Sequence, residues 1–206
     1  MKNIVKFIIG CVAAVGIIYP ASAQIALSLS PSSQTDAVGG LDTYNLIVSG
    51  LKGSADYNGP ALSGFIVQLD YDSTIAAAQS VAFGSKLNLL GDDFQYSDLS
   101  SIPGQITLEE FSDASSTALE GAQSSSFTLA TIEFQGLAAG TTTLTIDPSS
   151  SLSDENGNTL DVINLNGASF TVTPVPEPGT CALAALALGI IALRRCNPVR
   201  TGRNHR

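Results

Sequence analysis

The chain has 206 residues, 9 basic and 18 acidic, with three Cys, one His and no Trp, a length that allows one ordinary domain plus appendages. Its charge is segregated: residues 24–173 hold 17 acidic side chains against two basic ones, Lys52 and Lys86, a net −15, and every other basic residue lies at one of the two ends. An acidic middle repels phosphate backbones, which excludes nucleic acid as a partner. Because Cys11, Cys181, Cys196 and His205 also lie in the ends, the middle has no disulfide, no thiol nucleophile and no histidine chemistry.

Residues 1–23 read as a secretory signal peptide. Lys2 and Lys6 form its positive front and Phe7 to Ile18 its apolar stretch; Ala21 and Ala23, around Ser22, are the small residues that a signal peptidase inspects. Gln24 is then the mature start. Tyr19-Pro20 breaks a run already too short for a permanent anchor, and Ile9-Gly10-Cys11 stands too close to Lys6 to serve as a lipoprotein box.

Residues 24–173 alternate short apolar stretches with Gly, Ser, Asn, Asp and Pro clusters. In chain order, a period of two runs through Ile25, Leu27 and Leu29; Tyr44, Leu46 and Val48; Phe65, Val67, Leu69 and Tyr71; Ile106 and Leu108; Phe127 to Phe134; Leu144 and Ile146; and Phe170 and Val172. Half-buried strands have this signature, and many of them about ten residues apart without long helical patterns predict an all-β sandwich or barrel. Thr74–Ala78 and Lys86–Leu90 are the two stretches that look briefly helical. A domain of about 150 residues buries roughly two-thirds of its unfolded surface and needs no disulfide.

Three groups of residues in this middle invite a chemical role. Tyr57 and Tyr96, each expected in a loop, are the candidates for stacking on a sugar, although such side chains also serve to cover a core edge. Asp92-Asp93 and Glu109-Glu110 suggest a glycosidase pair, but neighbours on a strand point to opposite faces, whereas the two carboxyls must converge on one bond. Asp154-Glu155-Asn156-Gly157-Asn158 with Asp161 resembles a Ca²⁺ loop. Its twelfth position is Leu165 rather than Glu, so the stretch is expected to be a turn at Asn156-Gly157 and no cofactor is expected, with a bound Ca²⁺ as the alternative.

The C-terminal end has three parts: a Pro-rich linker at 174–179, an apolar run within 180–195 ending in Arg194-Arg195, and a basic tail at 196–206. Pro176 and Pro178 flank Glu177 and forbid regular structure. The run Cys181–Leu193 is short of the ~20 residues that cross a bilayer as a helix, and arginines after it place the tail on the cytoplasmic side. This order of Pro-Glu-Pro, short hydrophobic helix and arginines resembles the PEP-CTERM sorting signal. The resemblance implies export by a Gram-negative bacterium to the envelope or medium, transient anchoring by the C-terminal helix, and processing by exosortase as well as signal peptidase. A permanent anchor is the alternative.

Several segments of the middle, taken together, resemble the cohesin family. They are Leu69-Asp70-Tyr71-Asp72 leading into Ser73-Thr74-Ile75, Val81-Ala82-Phe83-Gly84, Gly104-Gln105-Ile106-Thr107-Leu108 and Leu129 to Phe134. Ala139-Gly140-Thr141-Thr142, Leu152 to Gly157 and Gly167 to Val172 complete the set. The resemblance implies a jelly-roll sandwich, related in fold to carbohydrate-binding modules, that docks other proteins; a generic immunoglobulin-like sandwich is the alternative. No duplicated Asp-rich calcium loop marks a dockerin in this chain. The expectation is a non-catalytic envelope or matrix protein that binds an unknown protein, or alternatively an exopolysaccharide, and touches membrane only through its C-terminal helix.

Overall fold

The computed structural model describes residues 24–51, 61–175 and Leu188. Among them run β1 (Ile25–Ser30), β2 (Ser33–Ala37), β3 (Leu41–Ser49), β4 (Leu62–Asp70), β5 (Ala76–Phe83), β6 (Phe94–Asp98), β7 (Gln105–Phe111), α1 (Ser116–Ala122), β8 (Ser126–Gly136), β9 (Gly140–Ile146), β10 (Ser151–Asp154), β11 (Thr159–Leu160), β12 (Val162–Asn166) and β13 (Ala168–Thr173).

The strands form two sheets. One has the order β12-β1-β3-β8-β5, with β3 and β8 antiparallel at its centre and β12 parallel to β1. The other is organised around β4. Along one edge β4 pairs with β7, which carries β6 outside it. Along the other edge it meets β10 over Leu62–Ile66 and then β9 at Leu69–Asp70, beyond which lie β13 and β2. Consecutive strands repeatedly change sheet, which gives the jelly-roll sandwich expected from the sequence.

The period-two residues face the space between the sheets. Leu27, Tyr44, Leu46, Val48, Val67, Ile106, Leu108, Leu129, Ile132, Phe134 and Phe170 are inaccessible to solvent. Each such side chain contributes about 1.5–3 kcal/mol by leaving water. Tyr44 links the layers: its ring meets Phe134 and Phe170 edge-on, and its hydroxyl donates to the Ser169 carbonyl of the opposite sheet at 2.8 Å. The core cluster is drawn entirely from residues between Leu27 and Val172, so the sandwich closes on itself without disulfides.

Local expectations hold unevenly. Asn156-Gly157 forms a turn, joining β10 to β11, with Gly157 at φ +78°, where a side chain would be strained. The two helical stretches do not form: Thr74 and Ile75 make a turn, Ala76–Phe83 is strand, and Lys86–Leu90 holds turns and bends. Pairing of Ala76–Phe83 with β8 overrides the weak strand propensity of alanine. The helix lies instead at Ser116–Ala122, where the Ser115 hydroxyl caps the Ala118 N–H. Its far end is held by Gln123, whose side chain accepts from Leu62 N–H at 2.8 Å and donates to Leu62 C=O at 2.6 Å.

Candidate functional site

Strand parity assigns the outer face of the β6–β7–β4–β10 sheet. On β7, Ile106, Leu108 and Glu110 point inward, so Gln105, Thr107, Glu109 and Phe111 point outward. The register then aligns outward side chains in rows across the strands. One row is Phe94, Phe111, Gly64 and Ser153; the next is Tyr96, Glu109, Ile66 and Ser151. Phe94, Tyr96 and Phe111, which are 54%, 46% and 38% exposed, are the large exposed aromatic residues among those described, and all three occupy this one patch.

The patch has a defined shape. The Phe94 and Phe111 rings pack with centroids 6.2 Å apart, tilted by 38°. Phe111 lies over Gly64: a Cβ on that glycine would sit 2.4 Å from Phe111 Cδ1 and 2.9 Å from Cε1. Gly64 therefore lets the ring lie down on the sheet. Around the rings, the charged outward residues on β4, β6 and β7 are Asp70, Asp98 and Glu109, all acidic. The Ser101 hydroxyl, together with the Ser101 and Ser100 backbone N–H groups that donate to Asp98, holds its carboxyl below the usual carboxylate range.

Directly beneath this patch lies a buried acid. Glu110 is 0% exposed. Its Oε1 accepts from Gln95 Nε2 at 2.6 Å, and its Oε2 has no partner. Burial, opposed by the Gln95 bond and reinforced by Asp93, pushes its pKa up to about 7. Asp93, also buried, accepts from the Ser112 hydroxyl and the Asp113 N–H.

Of the residues singled out in the sequence, Tyr96 sits on a strand rather than in a loop, because β6 pairs with β7. Glu109 and Glu110 do point to opposite faces. One member of each suspected acidic pair, Asp93 and Glu110, enters the same interior region rather than an open cleft. Asp154 has both carboxylate oxygens engaged by N–H donors of its own turn, from Asn156, Asn158 and the Asn158 amide, which lower its pKa. No group of three or more acidic, His or Cys side chains is placed for a metal among the described residues. Gln24 is exposed just before β1. Ala21, Ala23, Tyr57, Pro176, Glu177, Pro178, Arg194 and Arg195 lie outside the described residues, as does nearly all of the apolar run. Among the described residues no helix is long and apolar enough to cross a membrane.

Phe94, Phe111, Gly64, Gln95 and the inward turn of Glu110 were not singled out in the sequence. The alternation of Phe94 with Tyr96 was the available signal, masked by turn-forming residues on both sides.

Residues 174–196 match the PEP-CTERM protein-sorting motif. Among curated protein sequences none matches the chain. In solved structures the fold is similar to a cohesin from Clostridium acetobutylicum, at 18% identity over 74% of this chain and 92% of that one, TM-score 0.56. It is also similar to the OlpC cohesin of Clostridium thermocellum, a type I cohesin seen in complex with a dockerin, at 12% identity, 76% and 98% coverage and TM-score 0.58. A non-cellulosomal cohesin from the archaeon Archaeoglobus fulgidus matches at 13% identity, 78% and 98% coverage and TM-score 0.53. The chain thus joins a cohesin-like β-sandwich to a C-terminal PEP-CTERM protein-sorting motif, the mark of export to the cell envelope.

Proposed function

We propose that this is an exported, non-catalytic docking protein whose binding surface is the outer face of β6–β7–β4–β10. The observation that carries it is the gathering of Phe94, Tyr96 and Phe111 on one sheet face, with Ile66 half-buried beside them. Large aromatic side chains left in water are the residues that anchor interfaces, since they bury much area for little lost side-chain freedom. The acidic rim of Asp70, Asp98 and Glu109 selects a partner with neutral or basic donors. Cohesin structures seen with bound dockerins support a protein partner. Stacking of a sugar on the Phe94–Phe111 pair is the second possibility, favoured by the flat seat that Gly64 provides.

The triple variant F94A/Y96A/F111A tests this surface. Immobilised wild-type protein should capture a partner from the source organism's secreted fraction that the variant does not, with circular dichroism showing both proteins folded at the assay temperature. Equal capture by both would remove the surface from consideration. Retention of wild type, and not the variant, on the organism's own exopolysaccharide would assign the sugar instead.

The two ends supply the route. Signal peptidase cuts between Ala23 and Gln24, the apolar run holds the chain briefly in the cytoplasmic membrane of a Gram-negative cell, and exosortase acts near Pro176–Gly179. Intact mass of the exported protein should correspond to a chain lacking both ends. If Arg194–Arg206 remains on most molecules, the C-terminal segment is a simple anchor.

A further inference from the structure

Strand β6 holds two of the three platform aromatics yet contributes nothing to the core: none of its residues, Phe94–Asp98, is buried. Among the described residues it pairs with β7 alone. Besides that ladder, among the described residues Phe94 packs against Phe111 on the outer side and Gln95 donates to Glu110 on the inner side. Gln95 lies between Phe94 and Tyr96, and Glu110 between Glu109 and Phe111. The platform and the buried carboxyl are therefore opposite sides of one strand pair.

The surroundings of Glu110 suit a neutral acid and not a carboxylate. Opposite it on β4 is Phe65, which is apolar. The segment before β6 supplies Asp93, a second acid. Beyond β7, Asp113 offers its backbone N–H to Asp93. On α1, Leu119 is buried while Glu120 is exposed. Lys86 is the only basic side chain among the described residues, and its Nζ donates to the Ala122 carbonyl. Ionised Glu110 would thus be a buried charge beside an acid, with no cation against it among the described residues, and lifting β6 is the shortest way to bring water to it.

We infer that Glu110 is a proton-operated latch on β6: protonated, it keeps the edge strand closed and the aromatic platform assembled, and ionised, it favours release of β6 and dispersal of the platform. The functional consequence rests on the docking face proposed above; the strand release itself does not. With the closed-state pKa near 7 and an ordinary value of 4.5 once solvated, linkage raises the opening equilibrium about 30-fold between pH 5.5 and 8.5.

Hydrogen exchange read by mass spectrometry on the exported protein tests this, with labelling times scaled for the intrinsic pH dependence of exchange. In wild type, β6 should open at well below the cost of global unfolding, so peptides covering Phe94–Asp98 should exchange faster than those covering β3 and β8 at every pH, and their own protection should fall about 30-fold from pH 5.5 to 8.5. In Glu110→Gln that fall should stay below about threefold. Protection of β6 equal in size to that of β3 and β8 overturns the latch, as does an equal fall in the variant. If the variant does not fold, the wild-type profile decides alone: the loss must accumulate below about pH 7 and level off above it. Failure of the docking face would appear separately, as equal capture by wild type and F94A/Y96A/F111A.

Discussion

Gly64→Ala is the sharpest probe of the aromatic platform, because a single methyl group is placed where the Phe111 ring now rests. At 2.4 Å from Cδ1 the two cannot coexist, and of the colliding groups the surface ring is the one free to swing away. Phe111 is 38% exposed, so roughly 120 Å² of a side chain presenting about 200 Å² is covered. At about 25 cal/mol per Å² that cover is worth about 3 kcal/mol. Alanine recovers about 0.5–1 kcal/mol by stiffening the unfolded chain relative to glycine. The net cost expected is therefore about 2 kcal/mol, read as a lowered urea midpoint with an unchanged slope. The same change in a Phe111→Ala background should be nearly neutral or slightly stabilising, a coupling of about 2–3 kcal/mol in a double-mutant cycle. Should Gly64→Ala be as stable as wild type, or cost the same with and without the Phe111 ring, the ring does not lie on Gly64 and the platform has a different shape.

Glu110 retains its proton in the folded chain up to about pH 7 but releases it near 4.5 when unfolded. Its contribution is thus complete at low pH and lost as pH rises through that interval, by up to about 3 kcal/mol at about 1.4 kcal/mol per pH unit. Urea midpoints of wild type minus Glu110→Gln should fall from pH 4.5 to 7 and level off above; a rising difference refutes the assignment. Gln123→Ala strands both backbone groups of Leu62 in the interior and should cost about 2–4 kcal/mol, measured by the same denaturation. Because N–H donors already occupy both Asp154 oxygens, EDTA should move the melting temperature by no more than about a degree or two, and any gain with Ca²⁺ should be matched by Mg²⁺ or NaCl as screening. A saturable shift with Ca²⁺ alone would assign that loop to metal.

Features that depend on order along the chain were legible in the sequence. Which side of a strand faces the core follows from a period of two, so Tyr44, Leu46, Val67, Leu108 and Phe170 were identifiable as core positions before their partners were known. The Asn156-Gly157 turn is local chemistry, and the sorting motif at 174–196 is a linear signal. What only the tertiary structure decided is pairing. The Phe94–Asp98 segment buries nothing and is strand because β7 lies beside it; Ala76–Phe83 is strand because β8 does. Glu109 and Glu110 had to face opposite ways, but which one entered the interior depended on how β7 seats against β4. The platform itself joins Gly64, Phe94 and Phe111 from three strands through backbone register, and register between distant segments is set by the packing of the whole sandwich rather than by residues near any one of them.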